Sequence, residues 1–423
     1  MAKIKYVTAR QVIDCKCRPM VEVDITTDTG ETGRGSAPTG SSVGMYESFV
    51  LRDNDPVEYN GMSVHKAVDK VKSIIAPALI GMDVHDQRAI DQRMIELDGT
   101  PNKQNLGGNA IYSTSIAAFR AAAEAARKPA YEYLCGYSIK TVPVPSFNVI
   151  NGGQYGEVIL AFNEFLIVPY KADSIFEAVE IAVKCFQKLG DVLQKFLGKS
   201  PEVARSYGWA APSDDPAVVL GLMQDAVDAC GYHDKVAFAL DCASSEMYDT
   251  KKDRYLLKNE YVSANLLIDY VKGLSEHFPL VFVEDILDEN DWGNYPKAVE
   301  QIKRSIIIGD DLIVSNPEKL RRAYESHAVD GFVLKPNQVG TLTEALDAHN
   351  YGKERGMFSV PSGRSGGVVG DIIMDFAVGL EVGFIKNGAP RSGERIDKLN
   401  FLMRACDLTP GCRMADITGI VRF

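Results

Sequence analysis

The stretch FVLKPNQVGT, Phe332 to Thr341, sets an apolar run typical of a buried strand against one lysine, Lys335, with Pro336 directly after it. A lysine removed from water alone costs on the order of several kcal/mol or gives up its proton. Lys335 therefore needs either a partner that keeps it charged or a chemistry that uses it uncharged. The same rhythm repeats through the last two-thirds of the chain. VPSFNVING, AFNEFLIVP, VAFALDCASSE, LVFVEDILDE, SIIIGDD, GFVLKPNQ, MFSVPSGRS and EVGFIKNG are short apolar runs with polar flanks, separated by helical segments. Buried parallel strands read this way because both of their faces are covered. Eight strand–helix units predict a (β/α)8 barrel with its active site at the C-terminal ends of the strands. A doubly wound open sheet is the rival, but no GxGxxG follows an early strand.

The first 130 or so residues have a different character. MVEVDITTDTGETGRGSA alternates with period two, as in an antiparallel hairpin turning at DTGE. Two helical stretches follow, SVHKAVDKVKSIIAPALI and the alanine-rich AIYSTSIAAFRAAAEAARKPAYEYL, the second suited to close packing. The reading is an α/β chain: a smaller α+β domain over residues 1–135, then the barrel over residues 140–423.

Three carboxylates fall at strand ends. Asp241 closes VAFALD, Glu284 lies in LVFVED 43 residues later, and Asp310 closes SIIIGD after a further 26. Each interval suits one barrel unit, so successive strands aim three acids at one mouth, where they repel unless a cation sits among them. An all-oxygen donor set suits Mg²⁺. The plainer reading is helix caps and solvated strand ends. Lys335 follows Asp310 by 25 residues and faces the same mouth. It serves either as a counter-ion or as a base whose pKa a nearby metal and burial pull down. Lys386 in FIKNGAP adds a second cation, and Arg364 and Ser365 in SGRSGG make a cradle for phosphate or carboxylate.

Composition narrows the function. The 423 residues are 46% hydrophobic and 24% charged, as in a soluble globular enzyme. The net charge of −11 argues against nucleic acid or an anionic membrane as partner. MAKIKYVTAR has no export-signal pattern, and no run approaches the roughly 18 apolar residues of a membrane span. The eight cysteines show no CxxC spacing, so reduced thiols in a cytoplasm are expected.

With these residues in view the chain resembles the enolase family, Mg²⁺-dependent hydratases that interconvert 2-phosphoglycerate and phosphoenolpyruvate. PTGSSVGMYESFVLRD looks like that family's mobile loop. NVINGG, ALDCASSEMY, VEDILDENDW, GDDLIVSNP, LKPNQVGTLTEA and IKNGAPRSGERIDKLNFLMR are similar to its signature segments in order and spacing. The resemblance implies a barrel behind an α+β domain, assembled as a homodimer or homo-octamer and acting on a small anionic phosphorylated acid. It implies Asp241, Glu284 and Asp310 as ligands of a first Mg²⁺, and Ser42 as a ligand of a second that arrives with substrate. Lys335 matches the base for the α-proton and Lys386 the contact to the substrate carboxylate. Arg364 and Ser365 match the phosphate binders, and Glu164 an acid near the leaving hydroxyl. Tyr155, Asn163 and Glu284 are assigned to the substrate pocket. A Lys or His base with Mg²⁺ holding an ene-diolate is the general chemistry of this superfamily.

The departures cluster on one half of that chemistry. Where the family carries a GDEGGFAP-like loop with a general-acid glutamate, this chain reads SYGWAAPSDDP, with Tyr207 at that position and Trp209 near it. Tyr155 and Gly363 stand where the family has histidines, Gly367, Val368 and Val369 replace an acidic tail, and DSRGNPTVE has become Asp14 to Glu22. General acid catalysis contributes about 10²–10⁴-fold, so ordinary turnover is expected to suffer unless another acid substitutes. Glu157, Asp214 and Asp215 are candidates; alternatively the two tyrosines and Trp209 line a pocket for a bulkier group. Three functions follow: an enolase-type lyase with an altered leaving-group acid, a relative acting on another phospho or phosphono acid in the manner of carboxyphosphonoenolpyruvate synthases, and a binding protein that keeps only the fold.

Overall fold

The computed structural model describes residues 2–40, 44–153 and 160–423. The chain opens with an antiparallel sheet of Ile4–Ile13, Pro19–Thr27 and Thr32–Ser36, the last two joined by the expected DTGE turn. Gly108–Ala125 packs flat on this sheet. The contact is close because two strand positions lack side chains. A Cβ on Gly33 would stand 2.1 Å from the Ala121 nitrogen, and one on Gly35 2.0 Å from the Ser113 carbonyl oxygen. The alanine-rich sequence is thus matched by glycines opposite. The second helical stretch is not continuous: it stops before Pro129 and resumes as Ala130–Cys135, because proline disfavours helix in the residue before it.

All eight apolar runs are barrel strands: Val144–Asn151, Glu164–Val168, Ala237–Asp241, Leu280–Glu284, Ile306–Gly309, Gly331–Leu334, Phe358–Pro361 and Phe384–Lys386. They pair in a continuous sheet, and a parallel bridge between Ser362 and Lys386 links the seventh to the eighth and closes it. One orientation departs from the all-parallel expectation. Glu164–Val168 runs antiparallel to both neighbours. It is reached from the first strand without a crossover helix among the described residues, and a direct return reverses strand direction.

Neighbouring residues of one strand fall into separate buried clusters. Ala237 and Ala239 join one, Phe238 and Leu240 the other; Ile306 and Ile308 separate from Ile307, and Val333 from Phe332 and Leu334. Both strand faces are therefore buried, one against the barrel interior and one against the helices. No helix among the described residues is long and apolar enough to cross a membrane, and all eight cysteines are free thiols.

Candidate active site

Strand register sets the acids at one level. Glu164 pairs with Asp241, and Asp241 with Glu284. Asp310 follows the fifth strand directly, Lys335 the sixth, and Lys386 ends the eighth. Glu164 begins its strand where the others end theirs, and the antiparallel direction is what brings it to this mouth. Period-two alternation aims the side chains inward: Asp241 continues the set of Ala237 and Ala239, Asp310 that of Ile306 and Ile308, and Lys335 that of Val333.

Lys386 is the hub. Its Nζ donates to Asp241 Oδ2 at 3.0 Å and to Glu284 Oε2, and lies 3.4 Å from Glu164 Oε2. Burial pulls its pKa down, but Asp241, Glu284 and Glu164 outweigh that and hold it well above the usual lysine value. Lys335 Nζ donates to Asp310 Oδ2, whose other oxygen accepts from Gln338 Nε2 at 2.8 Å. The lowered pKa expected of a base is tied to a nearby metal as well as to burial; the residues by themselves act the other way. Burial lowers it, Asp310 raises it, and the net direction is up. Asp310 moves the opposite way, pushed up by burial but brought below the usual carboxylate value by Lys335. So Lys335 is held charged by one acid, which resolves the cost of an isolated buried lysine.

Acids outnumber these lysines. Asp285 accepts from the Asp310 and Asp311 backbone N–H groups at 2.7 and 2.9 Å. Burial, then Asp310, pushes its pKa up to about 8. Burial first and neighbouring acids second also push Glu284 and Asp311 well up. Asp285, Asp310 and Asp311 offer oxygens within 4.8 Å of one another. Glu284 Oε1 and Asn163 Oδ1 are buried without a hydrogen-bond partner among the described residues. Surplus buried carboxylate and orphaned oxygens form a hard-donor set, and they fit a divalent cation such as Mg²⁺.

The cavity at this mouth, about 100 Å³, is lined by Asn163, Glu164, Asp241, Lys335, Ser365 and Lys386 among others. Arg364 also lines it, yet its guanidinium is clamped by Glu47, with Nη1 to Oε2 at 2.8 Å and Nη2 to Oε1 at 3.1 Å. Sequence reasoning missed Glu47, Asp285 and Asp311. The doublets Glu284-Asp285 and Asp310-Asp311 carried a signal for two of them. Glu47 had none, because its partner lies 317 residues away.

The substituted loop is placed differently from expectation. Tyr207 is not among the residues lining the cavity; its hydroxyl donates to the Cys15 carbonyl at 3.3 Å, and its ring lies against Arg395. Ser206 lines the cavity instead. Trp209 stacks on Phe186 at 5.3 Å and donates to its carbonyl, so it walls no substrate pocket here. Asp215 caps Pro216–Ala229 and pairs with Lys258, while Asp214 accepts from Asn259. Ser42, Tyr155 and Glu157 lie outside the described residues.

Buried acids and two lysines gathered at the mouth of a barrel have the placement of an α/β-barrel enzyme's active site. Family comparison is more specific. Residues 4–134 match the model of the enolase N-terminal domain, and residues 139–411 that of the enolase C-terminal TIM barrel domain. The enolase of Methanococcus aeolicus is 42% identical over 399 residues, 94% of this chain and 93% of its own length. That of Methanococcus maripaludis is 42% identical over 402 residues, 95% and 94% of the two chains. That of Methanopyrus kandleri is 40% identical over 408 residues, 96% and 95%. The chain belongs to the enolase family, and it is a carbon–oxygen lyase of the phosphopyruvate hydratase type.

Proposed function

We propose that the chain is a Mg²⁺-dependent lyase that removes the α-proton of 2-phosphoglycerate or a close analogue, toward phosphoenolpyruvate and water, with a leaving-group acid other than the family's glutamate. The observation that carries this reading is the burial of Lys335 and Lys386 in one carboxylate cluster that also retains unpartnered oxygens. Asp241, Glu284 and Asp310 would hold the first Mg²⁺, and Ser42 would join a second once substrate is present. Bound Mg²⁺ supplies positive charge beside the substrate carboxylate, which acidifies the neighbouring C–H.

The chain's own residues divide the remaining work. Lys335 Nζ takes the proton from C2, once its bond to Asp310 has given way and its own ammonium proton has left to solvent. Lys386 orients the substrate carboxylate. Arg364 exchanges Glu47 for the phosphate, with Ser365 beside it. Glu164, held by Asn148 Nδ2 at 2.8 Å, faces the departing hydroxyl. Loss of the C3 hydroxyl with one proton gives water, and the electrons of the C2–H bond become the C2–C3 double bond. Tyr207, bonded to the Cys15 carbonyl, is a poor donor for that proton, since phenols titrate near pKa 10.

The deciding experiment follows α-proton exchange and phosphoenolpyruvate absorbance together, in D₂O with Mg²⁺ and 2-phosphoglycerate. Exchange with product supports the lyase as written. Exchange without product confines activity to the first half-reaction and moves the substrate to a related phospho or phosphono acid. Absence of exchange, product and ligand binding leaves only a binding protein with this fold. Assembly as a homodimer or homo-octamer belongs to the same reading and is read by light scattering.

A further inference from the structure

The central cavity continues into an annex. The two share Glu164, Ser362, Gly363, Arg364, Ser365 and Lys386, and the annex adds Asn387, Gly388, Arg395 and Lys398. Three of its four cations are already engaged. Lys386 holds acids, Arg364 holds Glu47, and Arg395 binds Glu394 and the Ser206 carbonyl. Lys398 is different. It is only 2% exposed, lines the annex, and among the described residues makes no hydrogen bond and no ion pair within 4.0 Å. Asn387, which also lines the annex, is 1% exposed, and its amide atoms are closed off and lack partners. Buried polar groups are normally paired, so an unpaired amine that lines a cavity points to a ligand or water beside it.

Gly363 makes the space. A Cβ there would stand 2.4 Å from Lys398 Nζ, so a side chain at this position would push the amine aside. Asp371 is the nearest uncommitted acid. One of its oxygens caps the Ile373 N–H, the other has no partner, and it forms no ion pair with Lys398.

We propose that Lys398 forms a subsite for a second carboxylate, carried on the carbon next to the phosphorylated one. This deepens the proposed function and rests on it. With phosphate at Arg364 and Ser365 and the first carboxylate at Lys386, the remaining carbon substituent is the part of the ligand that can enter the annex. The ammonium donates to the second carboxylate. The substrate class it points to is the 2-phospho dicarboxylic acids, close analogues of 2-phosphoglycerate.

The test compares 2-phosphoglycerate with 2-phosphotartrate, which is the same molecule with a carboxylate on C3, by calorimetric titration of the Mg²⁺-loaded protein. A charge-assisted hydrogen bond is worth about tenfold or more in affinity. The wild-type protein is expected to prefer 2-phosphotartrate by about that factor, and Lys398→Met to collapse the preference toward unity. Gly363→Ala, which places a methyl where the amine stands, gives a second route to the same collapse if Lys398→Met does not fold. Equal or weaker binding of 2-phosphotartrate by the wild type overturns the subsite alone, as does a preference that both variants keep; the annex then holds water. Failure to bind either compound overturns the proposed function and this inference with it.

Discussion

The two sides of the cavity treat their buried lysines differently. Lys335 and Lys386 are each bonded to carboxylates. Across Gly363, Lys398 is equally buried and has no such partner among the described residues, and its pKa is displaced downward by burial and only partly restored by Asp371. The first side carries the groups that the family resemblance assigns to proton removal. The second is where Gly363 stands in place of the histidine that the family resemblance leads one to expect. Buried charge is tolerated where it is paired, so the lysines of the first side are held before any ligand arrives, and that of the second is held by one.

Experiments can break or sharpen that contrast. The largest effect belongs to the assembled side. Lys335→Met is expected to reduce solvent exchange of the α-proton by about 10²–10⁴-fold, followed by NMR; retention of exchange would move the base elsewhere. Lys386→Met comes next. It strands Asp241 and Glu284 without their cation, and removing one partner of a buried pair costs about 3–5 kcal/mol. Urea denaturation of the metal-free protein measures that loss, and added Mg²⁺ should recover part of it.

A buried histidine on the barrel wall gives the pH contrast. His349 Nδ1 lies 2.7 Å from Ser359 Oγ, and burial, with Lys353 adding to it, pulls the ring's pKa down to about 4. Between that value and the unfolded value near 6.5 the unfolded chain binds the extra proton. Stability is therefore intact above about pH 6.5 and falls by up to about 3 kcal/mol as the pH drops to 4. Denaturation midpoints across this window should flatten in His349→Gln, while Lys335 and Lys386 stay charged throughout. The smallest effect is predicted for Tyr207→Phe. Losing a 3.3 Å hydrogen bond to the Cys15 carbonyl should cost about 1 kcal/mol or less and change exchange by under about threefold. A large loss of product formation with exchange intact would instead place Tyr207 at the leaving group.

Much of this was legible in the chain. The eight apolar runs are the eight barrel strands, because strands buried on both faces need continuous hydrophobicity, and that is a local property. The inward direction of Asp241, Asp310 and Lys335 follows from period two, also local. The direction of Glu164–Val168 was not legible, since an apolar run reads alike whichever way it is laid into the sheet. Neither was the split of the alanine-rich stretch into two helices read in advance, although Pro129 announced it. Glu47 on Arg364 and Cys15 beneath Tyr207 are contacts across 317 and 192 residues, and no spacing rule reaches that far.

Sequence alone determined the family, the barrel, and which acids and lysines stand at strand ends, because hydrophobic period and residue order encode these directly. Tertiary structure alone decided which lysine meets which acid and, among the described residues, which lysine at the cavity meets none. Pairing depends on distances between elements remote in sequence, and on a glycine that leaves an amine room to stand in a cavity.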